Sequence, residues 1–434
     1  MKFAVLGIAV VMYGLVIAFT GKKAWFTLGA AALVVILGVV GPIHALRDLI
    51  NWNVLLIYVG SLVIADLFIY SRVPAWAADK VVEKSPTLGL GIVAILVMTG
   101  LLSAFVENVA TVLVMAPIAL ALSRKVGMAP TTFMIGLAVM ANLQGTATLV
   151  GDPPSMIFAS YANYDFNAFF FHQGRFSIFW AVQAGAIVGA LYFWWYFRKL
   201  GKSTVDLEIA EIRSWVPTIL LGLLIVGLAA ISFFSESLAR LSPLFAGLGA
   251  SGIWCVILAI VGLLWFVVKM KEPVSEAVEL VKRLDWETIL FLIGIFVVIG
   301  AISEVGLLED LARILQDFIG GNMLLGFVVI VGISVVLSGF IDNVPYIIVM
   351  LPVAASLAKS LGLPQELYMF GLLIGSCLGG NLTPFGASAN VVATSLVKKD
   401  SGIVVKFGDW LKLAGPFTLL TTAASALFVW IFWR

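Results

Sequence analysis

Two glycine- and proline-rich runs interrupt the apolar sequence of this chain: GTATLVGDPP at residues 145–154 and GGNLTPFGASAN at residues 379–390. Proline ends a helix and glycine permits a turn, so each run predicts a helix that breaks and starts again. A broken helix leaves carbonyl oxygens without hydrogen-bond partners at the end of one segment and N–H groups without partners at the start of the next. Inside a lipid bilayer such groups must be buried or line a wet cavity. The two runs therefore predict polar sites at membrane depth.

The composition of the whole chain places these runs in a membrane protein. Of its 434 residues, 62% are hydrophobic and 12% are charged, whereas ordinary soluble domains carry about 25% charged residues. This balance excludes a soluble enzyme, and a net charge of +2 creates no field that would attract nucleic acid. Two cysteines and two histidines predict neither a disulfide framework nor a histidine-built metal site. We expect no cofactor besides H⁺ or Na⁺ as a coupling ion.

The apolar stretches predict about ten membrane crossings, because a bilayer core needs about 20 apolar residues of helix. The uninterrupted candidates are 3–20, 26–43, 52–71, 175–197, 215–235, 249–269, 286–303 and 412–433. Two longer regions, 88–160 and 323–396, are each divided into a re-entrant hairpin and a broken helix that crosses. The predicted fold is an all-α polytopic membrane protein with two re-entrant hairpins and two broken helices.

The distribution of lysine and arginine predicts the orientation in the membrane. Of the 26 basic residues, 19 fall on the side opposite Met1, and the positive-inside rule makes that side cytoplasmic. We therefore expect a multi-pass protein of the inner cell membrane with both termini outside. The predicted linker at residues 201–214 is then cytoplasmic.

The two halves of the chain repeat at a nearly constant offset. Asn51 aligns with Asp285, and FVENV at 105–109 aligns with FIDNV at 340–344. Each half holds an odd number of predicted crossings, so the two copies insert in opposite orientations. Inverted repeats with interrupted helices at matching positions are typical of secondary transporters. The predicted domains are a first repeat at 1–200, the linker at 201–214 and a second repeat at 215–434.

Polar residues cluster at the hairpin tips and at the helix breaks. Carbonyl oxygens there can coordinate cations, and helix N-termini attract anions. The predicted substrate- and ion-binding residues are Glu107, Asn108, Thr146, Thr148, Gly151, Asp152, Asp342, Asn343, Asn381, Thr383, Ser388 and Asn390. The alternative interpretation, that these residues only cap broken helices, does not explain four clusters in symmetric pairs.

Acidic residues within the apolar sequence are candidates for carrying the coupling ion, since burying a charge in a membrane is costly. The candidates are Glu107, Asp152 and Asp342, and Asp66 is a possible further coupling acid. For Asp66 the alternative is a pairing with Arg72 near a span end, and for Asp152 it is an N-cap on the helix opened by Pro153.

No lysine or arginine is expected in the interior of any span or break. Acids without bases favour a cation, a proton or a neutral polar solute over a dianion. Cys377 lies beside the second break and is a weaker candidate for contact with a metalloid. Packing is the commoner role of a small buried cysteine.

Three runs carry a resemblance to a known family: FVENVAT at 105–111, ANLQGTATLVGDPPS at 141–155 and GNLTPFGASAN at 380–390. They resemble the ArsB/NhaD/P-protein branch of the ion transporter superfamily. The resemblance implies scaffold helices, a mobile transport unit with elevator-like movement, and a homodimer. Related divalent-anion/sodium symporters carry Ser-Asn-Thr at both hairpin tips, where this chain has Glu107-Asn108-Val109 and Asp342-Asn343-Val344.

The leading functional prediction is an ion-coupled secondary transporter that extrudes a small inorganic solute. Arsenite or antimonite comes first, because neutral As(OH)₃ needs hydroxyl and amide partners and no cation. Sodium/proton antiport is the next alternative, followed by sodium-coupled carboxylate transport. A passive channel and an intramembrane aspartyl protease are alternatives from other classes. No glycine-rich phosphate loop is visible, so a driving ATPase would have to be a separate subunit, and we do not expect an enzyme.

Overall fold

The computed structural model describes residues 1–201 and 210–434. The helices of the first half are α1 (Lys2–Ala18), α2 (Lys23–Ile36), α3 (Pro42–His44), α4 (Trp52–Tyr70), α5 (Val73–Glu83), α6 (Leu88–Ser103), α7 (Asn108–Val126), α8 (Pro130–Gly145), α9 (Pro153–Ala162) and α10 (Ile178–Phe197). A π-helical turn (Ala45–Leu49) and a small antiparallel hairpin, β1 (Phe171–His172) with β2 (Arg175–Phe176), lie between them.

The second half continues the same all-helical architecture. Its helices are α11 (Val216–Leu241), α12 (Pro243–Leu248), α13 (Ala250–Val268), α14 (Val274–Lys282), α15 (Trp286–Glu304), α16 (Leu307–Ile319), α17 (Met323–Ser338), α18 (Asn343–Ser360), α19 (Gln365–Gly379), α20 (Ser388–Ser401) and α21 (Phe407–Trp433). Short 3₁₀ turns occupy Thr20–Lys22, Asn167–Phe169 and Gly380–Leu382.

The predicted all-α membrane fold is confirmed. Within the described ranges, seven helices are long and apolar enough to cross a membrane: α4, α10, α11, α13, α15, α18 and α21. The helices α1, α2, α6, α7 and α17 are also apolar but shorter. The total of ten crossings stays a prediction.

The inverted repeat organises the fold. Helices α6, α7, α8 and α9 begin at Leu88, Asn108, Pro130 and Pro153, and their counterparts α17, α18, α19 and α20 begin at Met323, Asn343, Gln365 and Ser388. The same offset in numbering separates all four pairs. The packing repeats as well, because α13 packs along α4 while α2 packs along α15. Helices α6–α7 and α17–α18 form the two hairpins, and α8–α9 and α19–α20 are the two broken helices, at the predicted places.

The helices sort into two groups by packing. The first, here named the scaffold bundle, contains α1, α2, α4, α11, α13 and α15. The second, the hairpin bundle, contains both hairpins, both broken helices, α10 and α21. Within the hairpin bundle, α20 packs on α7 and α8, and α9 packs on α18, so the two repeats interlock there.

Part of the predicted linker lies outside the described residues, namely 202–209. Its end, at residues 210–214, runs against α5 and the end of α4. The backbone N–H of Ala210 donates to Asp79 Oδ2 at 2.9 Å, and that of Arg213 donates to the Ser71 carbonyl at 3.0 Å. These bonds tie the end of the linker to the first half of the chain.

Two glycines at equivalent repeat positions let the scaffold helices approach closely. A Cβ on Gly294 would lie 2.6 Å from the Thr27 carbonyl carbon, and one on Gly60 would lie 2.6 Å from that of Cys255. We expect Gly294→Ala to lower the free energy of unfolding by about 1–3 kcal/mol, because backbone atoms cannot rotate away. Gly29→Ala on α2 is the matched control, since its Cβ would meet nothing within 4 Å. Thermal unfolding in detergent measures both, and equal midpoints would contradict the expectation.

Candidate functional site

Both hairpin tips and both helix breaks meet in one cavity of 160 Å³ at the interface of the two bundles. We name it the central cavity. The tips contribute Glu107, Asn108, Val109, Asp342, Asn343 and Val344 to its wall, and the breaks contribute Asp152, Pro153, Pro154, Ala387, Ser388 and Ala389. Six of the residues that sequence analysis singled out are therefore neighbours in space: Glu107, Asn108, Asp152, Asp342, Asn343 and Ser388.

Four helices of the hairpin bundle begin at the central cavity, and carboxylates cap three of them. Glu107 caps α7, Asp152 caps α9 and Asp342 caps α18, each accepting a backbone N–H of its own helix at 3.0–3.1 Å. The fourth helix, α20, has Ala387 as its N-cap residue, which offers no side-chain acceptor. A helix N-terminus carries about half a positive charge, so α20 leaves its positive end open to the cavity.

Asp152 is the most deeply buried of the cavity acids, with 1% of its surface exposed. Its Oδ1 accepts the Ser155 N–H at 3.0 Å, while its Oδ2 has no hydrogen-bond partner among the residues that the structure describes. A buried acceptor without a donor costs free energy. This oxygen is buried, and the Cys377 thiol and the Asn108 side chain lie next to the carboxyl group. It is suited to a proton or a cation, so capping and ion binding coexist in this side chain.

A buried amide network joins the two repeats, and its central residue, Asn142, lines the central cavity. Asn142 donates to Asn381 Oδ1 and to Asn390 Oδ1, both at 2.8 Å. Asn390 in turn donates to the carbonyl oxygens of Gly380 and Thr383 at 2.9 and 2.8 Å. Asn381 and Asn390 thus hold the second break in shape rather than line the cavity. Sequence analysis missed Asn142, whose only signal is its place in the polar run before the first break.

One threonine at each break bonds to the hairpin next to it. Thr148 Oγ1 donates to the Ala104 carbonyl, and Thr383 Oγ1 donates to the Gly339 carbonyl at 2.6 Å. The donors are repeat counterparts of each other, and so are the acceptors. Thr146 Oγ1 donates to the Asn142 carbonyl at 3.2 Å. These hydroxyls therefore hold the tips and breaks in position. Neither the three threonines nor Gly151 line the central cavity.

Lys23 reaches the central cavity although it precedes the predicted span 26–43 and so lies outside the interior of any predicted span or break. Its Nζ lies 3.7 Å from Asp342 Oδ2 and 5.5 Å from the centre of the Phe291 ring, and its side chain is 14% exposed. Side chains on a helix point back toward its N-terminus. Because Lys23 is the first residue of α2, its side chain extends past the helix end into the space between the bundles.

The scaffold bundle also supplies an acid that sequence analysis did not select. Asp285 caps α15 by accepting the Thr288 N–H at 3.0 Å, and the Tyr58 hydroxyl donates to its Oδ2 at 3.3 Å. All three residues line the central cavity. The alignment of Asp285 with Asn51 is visible in the sequence. Asp285 was not selected because a carboxylate at the end of a span is typical of a loop at the membrane surface.

Two other candidates lie elsewhere. Asp66 is on α4 away from the cavity wall, and its basic neighbour is Arg283 rather than Arg72. Cys377 is fully buried beside Asp152 but does not line the cavity. The geometry therefore provides no contact between this thiol and a solute in the central cavity.

The charges around the central cavity nearly balance. Its wall holds four carboxylates and one ammonium group: Glu107, Asp152, Asp285, Asp342 and Lys23. Besides α2, which begins at Lys23, five helices (α7, α9, α15, α18 and α20) begin at the cavity, and each of these helix ends contributes about half a positive charge. Such a cavity can hold a cation and an anion side by side.

Comparison with known proteins places this chain in a family. The model of the CitMHS family, described as a citrate transporter, matches residues 13–372 and 327–434. An uncharacterized transporter of Mycobacterium tuberculosis is 29% identical over 446 residues, which cover 99% of both chains. The P protein of Sus scrofa is 23% identical over 478 residues, which cover 91% of this chain and 55% of that protein.

Two solved structures share the fold. The YdaH transporter of Alcanivorax borkumensis matches with a TM-score of 0.60 and 14% identity over 99% of this chain and 97% of its own. MtrF of Neisseria gonorrhoeae matches with a TM-score of 0.58 and 16% identity over 94% and 85%. The predicted resemblance to the ion transporter superfamily is confirmed, and the chain belongs to its CitMHS family as a multi-pass secondary transporter.

Proposed function

We propose that this protein is a proton- or sodium-coupled transporter of a small carboxylate, and that solute and coupling cation bind together in the central cavity. The observation that carries the proposal is the difference between Asp152 and its repeat counterpart Ala387. Three cavity helices of the hairpin bundle have a carboxylate of the chain at their N-terminus, and α20 has none. Anionic oxygens bind readily at such a helix end, so a solute carboxylate can take the place of the missing cap.

The size of the cavity supports a small solute. Its volume of 160 Å³ is close to the roughly 150 Å³ of a protein cavity that holds one benzene molecule. The description of the CitMHS family as a citrate transporter makes citrate the first compound to test. Ser388, at the start of α20 on the cavity wall, adds a hydroxyl donor beside the open helix end.

The acids explain how transport of an anion can be coupled to a cation. Ionised Glu107, Asp152 and Asp342 would repel a carboxylate within a few ångströms. A proton or Na⁺ on these groups removes the repulsion, so the cation and the anion each raise the affinity for the other, and linkage makes this effect reciprocal. The unpartnered Oδ2 of Asp152 is the proposed first site of the cation.

We further infer an elevator-like alternating access, in which the hairpin bundle slides against the scaffold bundle. The central cavity lies between the bundles and takes wall residues from both, as such a movement requires. The orientation proposed from the positive charges puts the Lys23 end of this interface at the cytoplasm.

Sodium/proton antiport is the second candidate, because four carboxylates around one cavity would serve it equally well. Arsenite or antimonite efflux, the leading prediction from the sequence, has less support. The Thr146, Thr148 and Thr383 hydroxyls are bonded to backbone carbonyls, and Cys377 does not line the cavity. Its role as a metalloid contact stays a prediction.

Flux in proteoliposomes tests the proposed function. We expect uptake of labelled citrate to exceed that of empty liposomes at least about tenfold when an inward H⁺ or Na⁺ gradient is applied, and to collapse when the gradient is dissipated. Sodium-driven proton movement without citrate would favour antiport. Arsenite movement driven by a pH gradient, with no citrate movement, would contradict the carboxylate proposal.

A further inference from the structure

A second polar cavity lies at the opposite end of the same bundle interface, with a volume of 580 Å³. We name it the vestibule. Helices α4, α9, α15 and α18 contribute residues to both cavities, so they run from one to the other. The polar wall of the vestibule consists of Asp48, Asn51, Asn53, Ser160, Tyr161 and Asn163.

The scaffold part of the vestibule is the repeat counterpart of the scaffold part of the central cavity. Asn51 caps α4 by accepting the Val54 N–H at 3.1 Å, just as Asp285 caps α15. The start of α13 at Gly249 lines the vestibule, just as the start of α2 lines the central cavity. The contacts of Thr27 with Gly294 and of Cys255 with Gly60 align the two helices and set Ser251 at the place of Lys23.

In an elevator-like movement, the tips would reach the vestibule by a displacement along α9 and α18, and the two helices give nearly the same length for it. On α9, the stretch from Pro153 to Ser160 connects the central cavity to the vestibule. On α18, the stretch from Asn343 to Leu351 does the same. At a rise of about 1.5 Å per residue, both stretches are about 10–12 Å long. Asn51, which now donates to Ser160 at 2.8 Å, would then face the first break.

The two docking positions differ in charge. At the central cavity the scaffold offers Lys23, 3.7 Å from Asp342. Among the described residues that line the vestibule there is no lysine or arginine, and the counterparts of Asp285 and Lys23 are the neutral Asn51 and Ser251. A displacement of about 10 Å would therefore take Asp342 away from its basic partner, together with the neighbouring Glu107 and Asp152.

We propose that Lys23 is a one-sided counter-ion that determines where the coupling cation is released. When the tips dock at the central cavity, the Lys23 ammonium competes for Asp342, and the Na⁺ or proton leaves to the solution on that side. When the tips dock at the vestibule, Asp342 has no ammonium partner, and a cation from solution binds Asp342 instead. This inference rests on the proposed cation-coupled transport.

Apparent cation affinity on each side of the membrane tests the proposal. Lys23→Gln is compared with Lys22→Gln, its exposed neighbour outside the cavity wall, and with Lys23→Arg, which keeps the charge. Citrate flux is titrated with Na⁺ or H⁺ in right-side-out and inside-out membrane vesicles. We expect Lys23→Gln to lower the half-saturating cation concentration about tenfold on the Lys23 side, and to leave it within about twofold on the other. Lys22→Gln should match the wild type, and Lys23→Arg should keep the wild-type ratio between the half-saturating cation concentrations on the two sides.

Equal changes on both sides, or no change on either, would overturn the proposal. Lys23→Met, which keeps much of the aliphatic stem, replaces Lys23→Gln if the latter does not accumulate in the membrane. Wild-type protein without cation-driven citrate flux would instead contradict the proposed function.

A measurement without flux then still decides the role of Lys23. Ile299→Cys on the vestibule wall is labelled with an impermeant maleimide, and both native cysteines are buried. Loss of the Lys23–Asp342 pair should favour docking at the vestibule and slow this labelling about threefold relative to Lys22→Gln. An unchanged labelling rate would overturn the one-sided role.

Discussion

Asp152→Asn is expected to reduce cation-coupled citrate transport about 100-fold, which corresponds to about 2.7 kcal/mol, while the fold is retained. Asparagine caps a helix about as well as aspartate does, so α9 keeps the bond that Asp152 Oδ1 makes to Ser155. The amide group cannot be protonated near neutral pH and carries no charge for a cation. The unpartnered Oδ2 is thus replaced by a group that cannot exchange the coupling ion.

Asp165→Asn is the matched control for this variant. Asp165 also accepts a backbone N–H through its side chain, from Ala168 at 2.8 Å, but it does not line the central cavity. We expect wild-type kcat/KM for the control and a similar thermal midpoint for both proteins. Transport by Asp152→Asn at the wild-type rate, with unchanged dependence on pH and Na⁺, would remove Asp152 from the coupling mechanism.

Ala387→Asp is expected to raise the KM for citrate about 100-fold, or about 2.7 kcal/mol in binding, without unfolding the protein. The substitution restores the carboxylate that the first repeat has at Asp152. Its side chain would cap α20, and a good cap stabilises a helix by about 0.5–2 kcal/mol. The solute would then face a helix end that is already occupied by a negative charge.

Ala387→Asn separates charge from occupancy. The amide has nearly the same shape and can cap α20, but it does not repel an anion. We expect a smaller rise in KM, about tenfold, and a thermal midpoint at or above that of the wild type in both variants. If Ala387→Asp binds citrate with the wild-type Kd, the open N-terminus of α20 is not the carboxylate site.

The sequence predicted those site residues that the internal repeat marks. The constant offset between the two halves is a one-dimensional signal, so the tips at Glu107 and Asp342 and the break at Asp152 could be found without coordinates. Membrane depth then required them to share a polar space. The structure brings these three residues to one wall.

Contacts between the bundles could not be read from the sequence. Lys23 and Asp285 occur at helix starts next to other charged residues, and nothing in the local pattern distinguishes a loop lysine from one that points into a cavity. The direction of a hydroxyl is equally invisible in one dimension. Thr148 and Thr383 therefore looked like solute ligands, whereas their bonds to Ala104 and Gly339 hold the break against the hairpin.

The dissociation constant of citrate for the purified protein, measured as a function of pH and of Na⁺ concentration, tests most directly whether anion and cation share the central cavity. Linkage predicts that, below saturation, Kd falls about tenfold for each tenfold rise in the activity of the coupling cation, and that Asp152→Asn loses this dependence. A citrate Kd that is the same at every pH and every Na⁺ concentration would contradict the account.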